Sequence, residues 1–231
     1  MTVATHLTSL GLDAAEVIRH VPTSMTLSLV DGVLFLQDRQ QPKTRVTVDF
    51  VQGSLAYRAS GHVGGEHLIK ACQIKSIQRP HILDATCGMG KDSFLLASSG
   101  FQVTACEQHP LVHALLTDGL RRLQQAGGEA FELQLMSAEK QMQQPGFDVI
   151  YLDPMFPARS KSAKVKKDMQ LFQHIHQQQD DNAVDLLNMA LQADCQRVVI
   201  KRPPKAPLLV NRKPTFQISG KSCRFDAYQL L

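Results

Sequence analysis

The stretch Ile82-Leu83-Asp84-Ala85-Thr86-Cys87-Gly88-Met89-Gly90-Lys91-Asp92 decides the fold. A short apolar run ends in an acid, crosses two closely spaced glycines and enters a helical stretch from Asp92 to Ser98. That is the signature of a buried strand turning sharply into a helix. The same rhythm continues outward. Upstream, Glu66 to Ile77 reads as a helix. Downstream, Gln102 to Cys106, Phe131 to Met136, Val149 to Leu152 and Val198 to Ile200 read as strands, with helical stretches at Leu111 to Ala126 and Ala183 to Leu191. Strands that are apolar throughout, separated by amphipathic helices, predict a parallel sheet covered on both faces, an α/β doubly wound fold. The chain closes with Phe216 to Ser219, a turn at Gly220-Lys221 and Arg224 to Leu230, a terminal antiparallel hairpin.

Ahead of this pattern, Met25 to Phe35 and Arg45 to Arg58 alternate apolar and polar residues around turns at Asp31-Gly32 and Gln52-Gly53-Ser54. Strict alternation predicts two hairpins, and the glycines between Gly61 and Gly65 mark a boundary. The expected organisation is a small antiparallel, β-rich extension over residues 1–62 and a larger α/β domain over 63–231.

With 231 residues, 43% apolar and 20% charged, the chain has the composition of an ordinary folded domain. No run approaches the roughly 18 apolar residues of a membrane span, and the first 25 residues lack the basic-then-apolar order of a signal peptide. The five cysteines form an odd set without a Cys-x-x-Cys pair, arguing against a disulfide framework or a zinc knuckle. The expectation is a protein of a reducing, cytoplasmic compartment with no membrane partner and no metal. Its net charge of +4 is unevenly spread: residues 1–155 hold 12 Lys+Arg and 15 Asp+Glu, residues 156–231 hold 13 and 6. A basic block of this kind suits a phosphate-bearing partner or is simply a solvated face.

Chemistry concentrates at the strand ends. Gly88 and Gly90 let the backbone turn and approach a ligand closely. A Walker phosphate loop fails, because Ala85 stands where its first glycine belongs and Asp92 where its Ser or Thr belongs. A dinucleotide fingerprint is weakened, though not excluded, by Ser93 in place of its third glycine. Glu107, ending the second strand, is placed to accept from the ribose hydroxyls of an adenosine-containing ligand. Asp84 and Asp92 near the turn oppose a pyrophosphate and suit the amino and sulfonium groups of S-adenosyl-L-methionine. In Tyr151-Leu152-Asp153-Pro154-Met155-Phe156-Pro157, a buried strand runs into an acid, two prolines and an aromatic. Asp153 and the Pro154 carbonyl can accept both hydrogens of an exocyclic amine while Phe156 stacks on the base, which suits amine methylation. Five cations follow, Arg159, Lys161, Lys164, Lys166 and Lys167. Lys201 and Arg202 end the fifth strand at the same edge of the sheet, and together these form the expected RNA-binding patch.

Asp84 to Asp92, Tyr151 to Pro157, Lys161 to Lys167, Val199 to Pro203 and Arg224 to Tyr228 together resemble the bacterial ribosomal RNA small subunit methyltransferase J family, from about residue 60 to the end. The resemblance implies a Rossmann-like class I S-adenosylmethionine-dependent methyltransferase. It implies methyl transfer to the exocyclic N2 of a guanosine, with 16S ribosomal RNA or the small ribosomal subunit as partner. It carries cofactor contacts onto Lys91 and Asp92, Glu107 and Gln108, Ser137 and Ala138, and Asp153. Lys91 and Gln108 stand where the family pattern leads one to expect arginine, and Ala138 where it leads one to expect a small hydroxyl residue. The N-terminal extension is expected to help dock the ribosomal substrate. The rivals are an amino methyltransferase acting on adenine or cytosine and a non-catalytic RNA-binding assembly factor, with a dehydrogenase more distant.

Overall fold

A computed structural model of the chain describes residues 1–41, 43–61, 66–154 and 183–230. Its centre is a seven-stranded sheet of β4 (His81–Asp84), β5 (Gln102–Glu107), β6 (Glu132–Leu135), β7 (Val149–Leu152), β8 (Arg197–Arg202), β9 (Phe216–Ser219) and β10 (Arg224–Gln229), in the order β6-β5-β4-β7-β8-β10-β9. The strands β6, β5, β4, β7 and β8 are parallel, and β10 and β9 close the sheet antiparallel. This is the doubly wound arrangement with the terminal hairpin read from the sequence. The strands need burial on two faces, and their residues alternate between two cores. Ile82, Val149, Tyr151, Val199 and Phe225 point to one side, Leu83, Ile150, Leu152, Val198 and Ile200 to the other. The first face is covered by α4 (His67–Cys72), α5 (Lys91–Ser98) and α6 (Pro110–Gln125), and α7 (Ala138–Gln141) and α8 (Ala183–Ala190) lie on the second.

The N-terminal segment departs from the expectation of two hairpins. It opens with two short helices, α1 (Val3–Ser9) and α2 (Ala14–Arg19), whose first amides are capped by the side chains of Thr2 and Asp13. The first hairpin is present: β1 (Met25–Val30) pairs with β2 (Val33–Asp38) through Asp31 and Gly32, both at positive φ, as a tight two-residue turn requires. The second is not. After a two-residue strand, β3 (Arg45–Val46), the Asp49 carboxylate accepts from the Val51 and Gln52 amides and bends the chain. Gly53–Ser60 then forms a helix, α3. Leu55 and Ala59, one helical turn apart, pack against the core, so helical spacing overrode the apparent alternation.

This segment is fastened to the first face of the sheet. Leu7, Val17, Leu34, Leu36, Val48 and Phe50 belong to the same buried cluster as Phe94 on α5 and Leu116 on α6. Fully buried Asp118 of α6 accepts from His6 Nε2 (2.9 Å), Leu34 N (3.1 Å), Arg121 Nη2 (3.0 Å) and Arg122 Nε (3.1 Å). Arg121 and Arg122 also donate to the carbonyls of Gly32 and Val48. Beside it, a Cβ on Gly119 would sit 2.6 Å from Val48 Cγ1, so glycine lets this segment approach the helix. Burial alone would raise the Asp118 pKa, but its donors outweigh that and hold it below the ordinary carboxylate value.

Replacing Asp118 by Ala removes the shared acceptor of three elements. We expect a loss of about 3 kcal/mol in denaturant unfolding, the low end for a broken buried pair because Arg121 and Arg122 can turn to water. Because the folded pKa is depressed, the stabilisation is present above the ordinary carboxylate value of 3.8 and fades as pH falls through the folded one. The gap between wild type and D118A should therefore narrow in acid.

Candidate active site

The strand order reverses between β4 and β7, which places a crevice outside their carboxyl ends, where doubly wound sheets bind ligands. The pairing of these strands continues past their last residues. Ala85 N donates to the Tyr151 carbonyl (3.0 Å), and Asp153 N donates to Thr86 Oγ1 (2.6 Å). Asp153 is thereby fixed against the glycine turn, and the buried Pro154 follows it.

Asp84 is buried beneath the turn. Its Oδ2 accepts from Ser93 Oγ (2.5 Å) and its Oδ1 from Thr86 N (3.2 Å). Burial pushes its pKa up to about 7 against the pull of these hydrogen bonds. Asp84 thus supports the turn from within. Ser93, which told against a dinucleotide fingerprint, is its partner. The two glycines divide their work. Both have positive φ, +53° at Gly88 and +67° at Gly90. A Cβ on Gly88 would meet nothing nearer than the Thr86 carbonyl at 4.0 Å, so that side of the turn is open. A Cβ on Gly90 would meet Leu116 Cδ2 at 2.7 Å, Phe131 Cζ at 3.0 Å and Phe50 Cζ at 3.1 Å. At Gly90 the space for a side chain is taken by the core, so packing as well as the turn requires glycine there.

Lys91, the first residue of α5, is exposed, as is Gln108. Glu107 ends β5, buried, with Oε1 accepting from His109 N (2.8 Å). Met136 N donates to the Glu107 carbonyl (3.2 Å), so the ends of β5 and β6 run together, and Ser137 and Ala138 begin α7 beside them. The residues expected at the cofactor therefore line one edge of the sheet, at the ends of β4, β5, β6 and β7.

A charged cluster closes the other side. Asp92 Oδ2 accepts from the Tyr151 hydroxyl (2.6 Å) and from Lys201 Nζ (2.7 Å), and Lys201 Nζ also donates to Asp153 Oδ2 (2.8 Å). Tyr151 is wholly buried, and burial with the carboxylates of Asp92, Asp153 and Asp84 raises its pKa well above the ordinary value, so it stays a donor. Burial raises the Asp153 pKa, Lys201 pulls it down, and Asp92 adds to the rise. Burial alone would lower that of Lys201, but the two carboxylates raise it beyond its usual range.

Two expectations are corrected here. Lys201 points into this cluster and not outward to an RNA patch. Arg202 is buried and donates to the Pro207 carbonyl (2.9 Å). Among the described residues Lys91 and Lys205 face solvent at this edge, Lys205 on the loop after β8. The start of that loop is held by Arg202 and by Arg224, which donates to the carbonyls of Pro204 and Ala206 (both 3.1 Å) and is itself gripped by Asp226. The loop then runs to the opposite end of the strands, where Arg212 lies over the Tyr228 ring (6.0 Å) and Thr215 N donates to the Ala227 carbonyl (2.8 Å). Phe156, Arg159, Lys161, Lys164, Lys166 and Lys167 lie outside the described residues. Sequence reasoning gave no role to Tyr151 or Thr86. The signal was there for Tyr151, a single hydroxyl in an otherwise apolar strand that must find a partner when buried.

The family model described as "Putative SAM-dependent methyltransferase" matches residues 12–230. The chain is 45% identical over 230 residues to the ribosomal RNA small subunit methyltransferase J of Tolumonas auensis, covering 93% of this chain and 92% of that protein. It is 46% identical over 198 residues to the protein of the same name from Hahella chejuensis, covering 83% and 75%. Among solved structures, a SAM-dependent methyltransferase from Neisseria gonorrhoeae superposes with a TM-score of 0.70 at 34% identity, covering 94% of this chain and 92% of that one.

The site fits such a cofactor. Gly88 leaves space on the outer side of the turn, Glu107 ends the neighbouring strand, and Asp92 and Asp153 supply negative charge for a sulfonium and an ammonium group.

The division between the glycines is testable by unfolding. Gly88→Ala meets only the left-handed backbone cost, about 1–2 kcal/mol. Gly90→Ala adds a clash with Leu116, Phe131 and Phe50, and should lose a further 1–3 kcal/mol or so. Equal losses would contradict the packing role of Gly90.

Proposed function

Because the chain belongs to the ribosomal RNA small subunit methyltransferase J family and is an S-adenosylmethionine-dependent methyltransferase, we propose that it methylates the exocyclic N2 of a guanosine in 16S ribosomal RNA, in the cytoplasm. The observation that carries this reading is the placement of Asp153. Its backbone amide is tied to Thr86 in the cofactor turn and its carboxylate is tied to Lys201, so an acceptor is held at the switch-point crevice.

The guanine amine is a poor nucleophile because its lone pair is delocalised into the ring. The Asp153 carboxylate and the Pro154 carbonyl accept its two N–H groups, favour rehybridisation at nitrogen and hold the lone pair in line for attack. S-adenosylmethionine supplies, when bound, a methyl carbon activated by its sulfonium. Asp84, Ser93 and Thr86 keep the turn rigid beneath it. The proton left on the methylated nitrogen passes to Asp153 or to water. Phe156, two residues after Pro154 in sequence, is the aromatic this reading assigns to stacking against the base.

The RNA backbone is met by cations at the same edge. Arg159, Lys161, Lys164, Lys166 and Lys167 follow the Asp-Pro turn in sequence. Lys205 projects from the part of the loop that Arg202 and Arg224 hold in place, and from Pro203 to Cys223 the chain has no acidic residue.

A methyl-transfer assay on unmethylated small ribosomal subunits, followed by mapping of the modified base, tests this reading. Label on adenine, on cytosine or on no base would refute it. Asp153→Ala should lower turnover by on the order of 100- to 1000-fold while S-adenosylmethionine still binds in calorimetry. Neutralising Lys205 should flatten the salt dependence of RNA binding by about 0.7 in log–log slope, with cofactor affinity unchanged.

A further inference from the structure

The sequence pattern made Lys201 a phosphate contact; its position gives it different work. It is the shared donor of two carboxylates from different elements, Asp92 at the start of α5 and Asp153 after β7, at 2.7 and 2.8 Å. Both contacts use Oδ2, so these two oxygens lie no further apart than two hydrogen bonds placed end to end. Tyr151 adds a neutral donor to Asp92 from β7, and Asp84 adds a buried carboxyl from β4. The ion pairs of Asp92 and Asp153 among the described residues both run to Lys201.

We propose that Lys201 is a positioning residue for methyl transfer, whose ammonium keeps the Asp153 carboxylate ionised and turned to accept from the target amine. The inference rests on the amine-methylation reading above. Two carboxylates so close disfavour each other's charge, and without a cation one of them takes a proton near neutrality. The groups facing Asp153 are Lys201 from β8, Asp92 from α5, the neutral Tyr151 hydroxyl from β7 and, below them, Asp84 from β4, so among the described residues the one cation of the cluster is Lys201. A protonated Asp153 presents an O–H donor to an N–H donor, the wrong polarity. Lys201 cannot itself take the proton that leaves nitrogen, because its two partners keep it charged. In the reaction the guanine N2 lone pair forms the bond to the methyl carbon, the carbon–sulfur pair stays with sulfur, and the surplus proton leaves N2 for Asp153 or water. Lys201 acts through the first of these acceptors.

The test compares Lys201→Met, which keeps the length and removes the charge, with Lys201→Arg, which retains it. Lys201→Met should lower kcat at pH 7 by on the order of 100-fold, with the loss recovered as pH rises, because the acid limb of the kcat profile moves up by about one unit or more. KM for S-adenosylmethionine should not rise, since removing a cation does not repel a cationic cofactor. Lys201→Arg should keep the wild-type acid limb. Independently of turnover, the Asp153 carboxyl, followed by carbon-13 NMR in cofactor-free protein and assigned with Asp153→Asn, should titrate higher in Lys201→Met than in wild type. An unchanged acid limb and carboxyl titration in Lys201→Met overturn the proposal, as does a loss equal at every pH and shared by Lys201→Arg, which would mark a merely structural contact. If Asp153→Asn itself turns over at the wild-type rate, the underlying reading fails. If Asp153→Asn is inactive and Lys201→Met is normal, the role of Lys201 alone fails.

Discussion

The hydrogen bond from the Asp153 amide to Thr86 Oγ1 closes the one place in the sheet where the backbone would otherwise splay. At a topological switch point the chain leaves neighbouring strands in opposite directions, so the ladder between β4 and β7 should end with the strands. Here the Ala85–Tyr151 backbone bond and the threonine hydroxyl extend it, drawing the glycine turn and the Asp-Pro turn together. The geometry of the site follows from this. An acceptor on one turn and an open glycine on the other face a common crevice, the backbone fixing both turns and Lys201 holding the carboxylate.

Charge is arranged around that junction in layers. Asp84 lies deepest and is held by Ser93 and Thr86. Asp92 and Asp153 lie higher, joined by Lys201, and Lys91 at the start of α5 and Lys205 on the loop after β8 face solvent. Moving outward, the sign changes from anionic to cationic, which matches a cationic cofactor beneath a polyanionic substrate. The Arg224–Asp226 pair sets the outer layer, since Arg224 spends its remaining donor on carbonyls of that loop.

The strands were legible because each is buried on both faces and therefore apolar from end to end. Val149–Leu152 and Phe216–Ser219 fall where the sequence placed them, and the helices α5 and α6 differ by a residue at their ends. The N-terminal segment was less legible because its elements are short and stabilised by tertiary contacts. Nothing in Val3–Ser9 or Ala14–Arg19 repeats often enough to declare a helix, and Leu55 with Ala59 was masked by an alternation that has no sheet to serve. At the site, composition identified Lys201 and Arg202 as cations but gave no direction. The period of two in β8 holds that direction: Lys201 shares the face of Val199, on the side of Tyr151, and Arg202 the face of Ile200. Arg121 and Arg122 stand one turn from Asp118, but its partner His6 lies more than a hundred residues away and leaves no local trace.

Phe50 carries a consequence for how this protein can change. Its ring packs tilted against Phe94 at 4.9 Å and meets Phe131 edge-on at 5.8 Å, and Phe50, Phe131 and Leu116 form the floor under Gly90. A residue of the leading segment thus serves as a foundation stone for the loop that receives the methyl donor. A descendant that shed this segment would not become a minimal catalyst lacking an accessory. It would inherit a hole beneath its own entrance, and some other aromatic would first have to fill it.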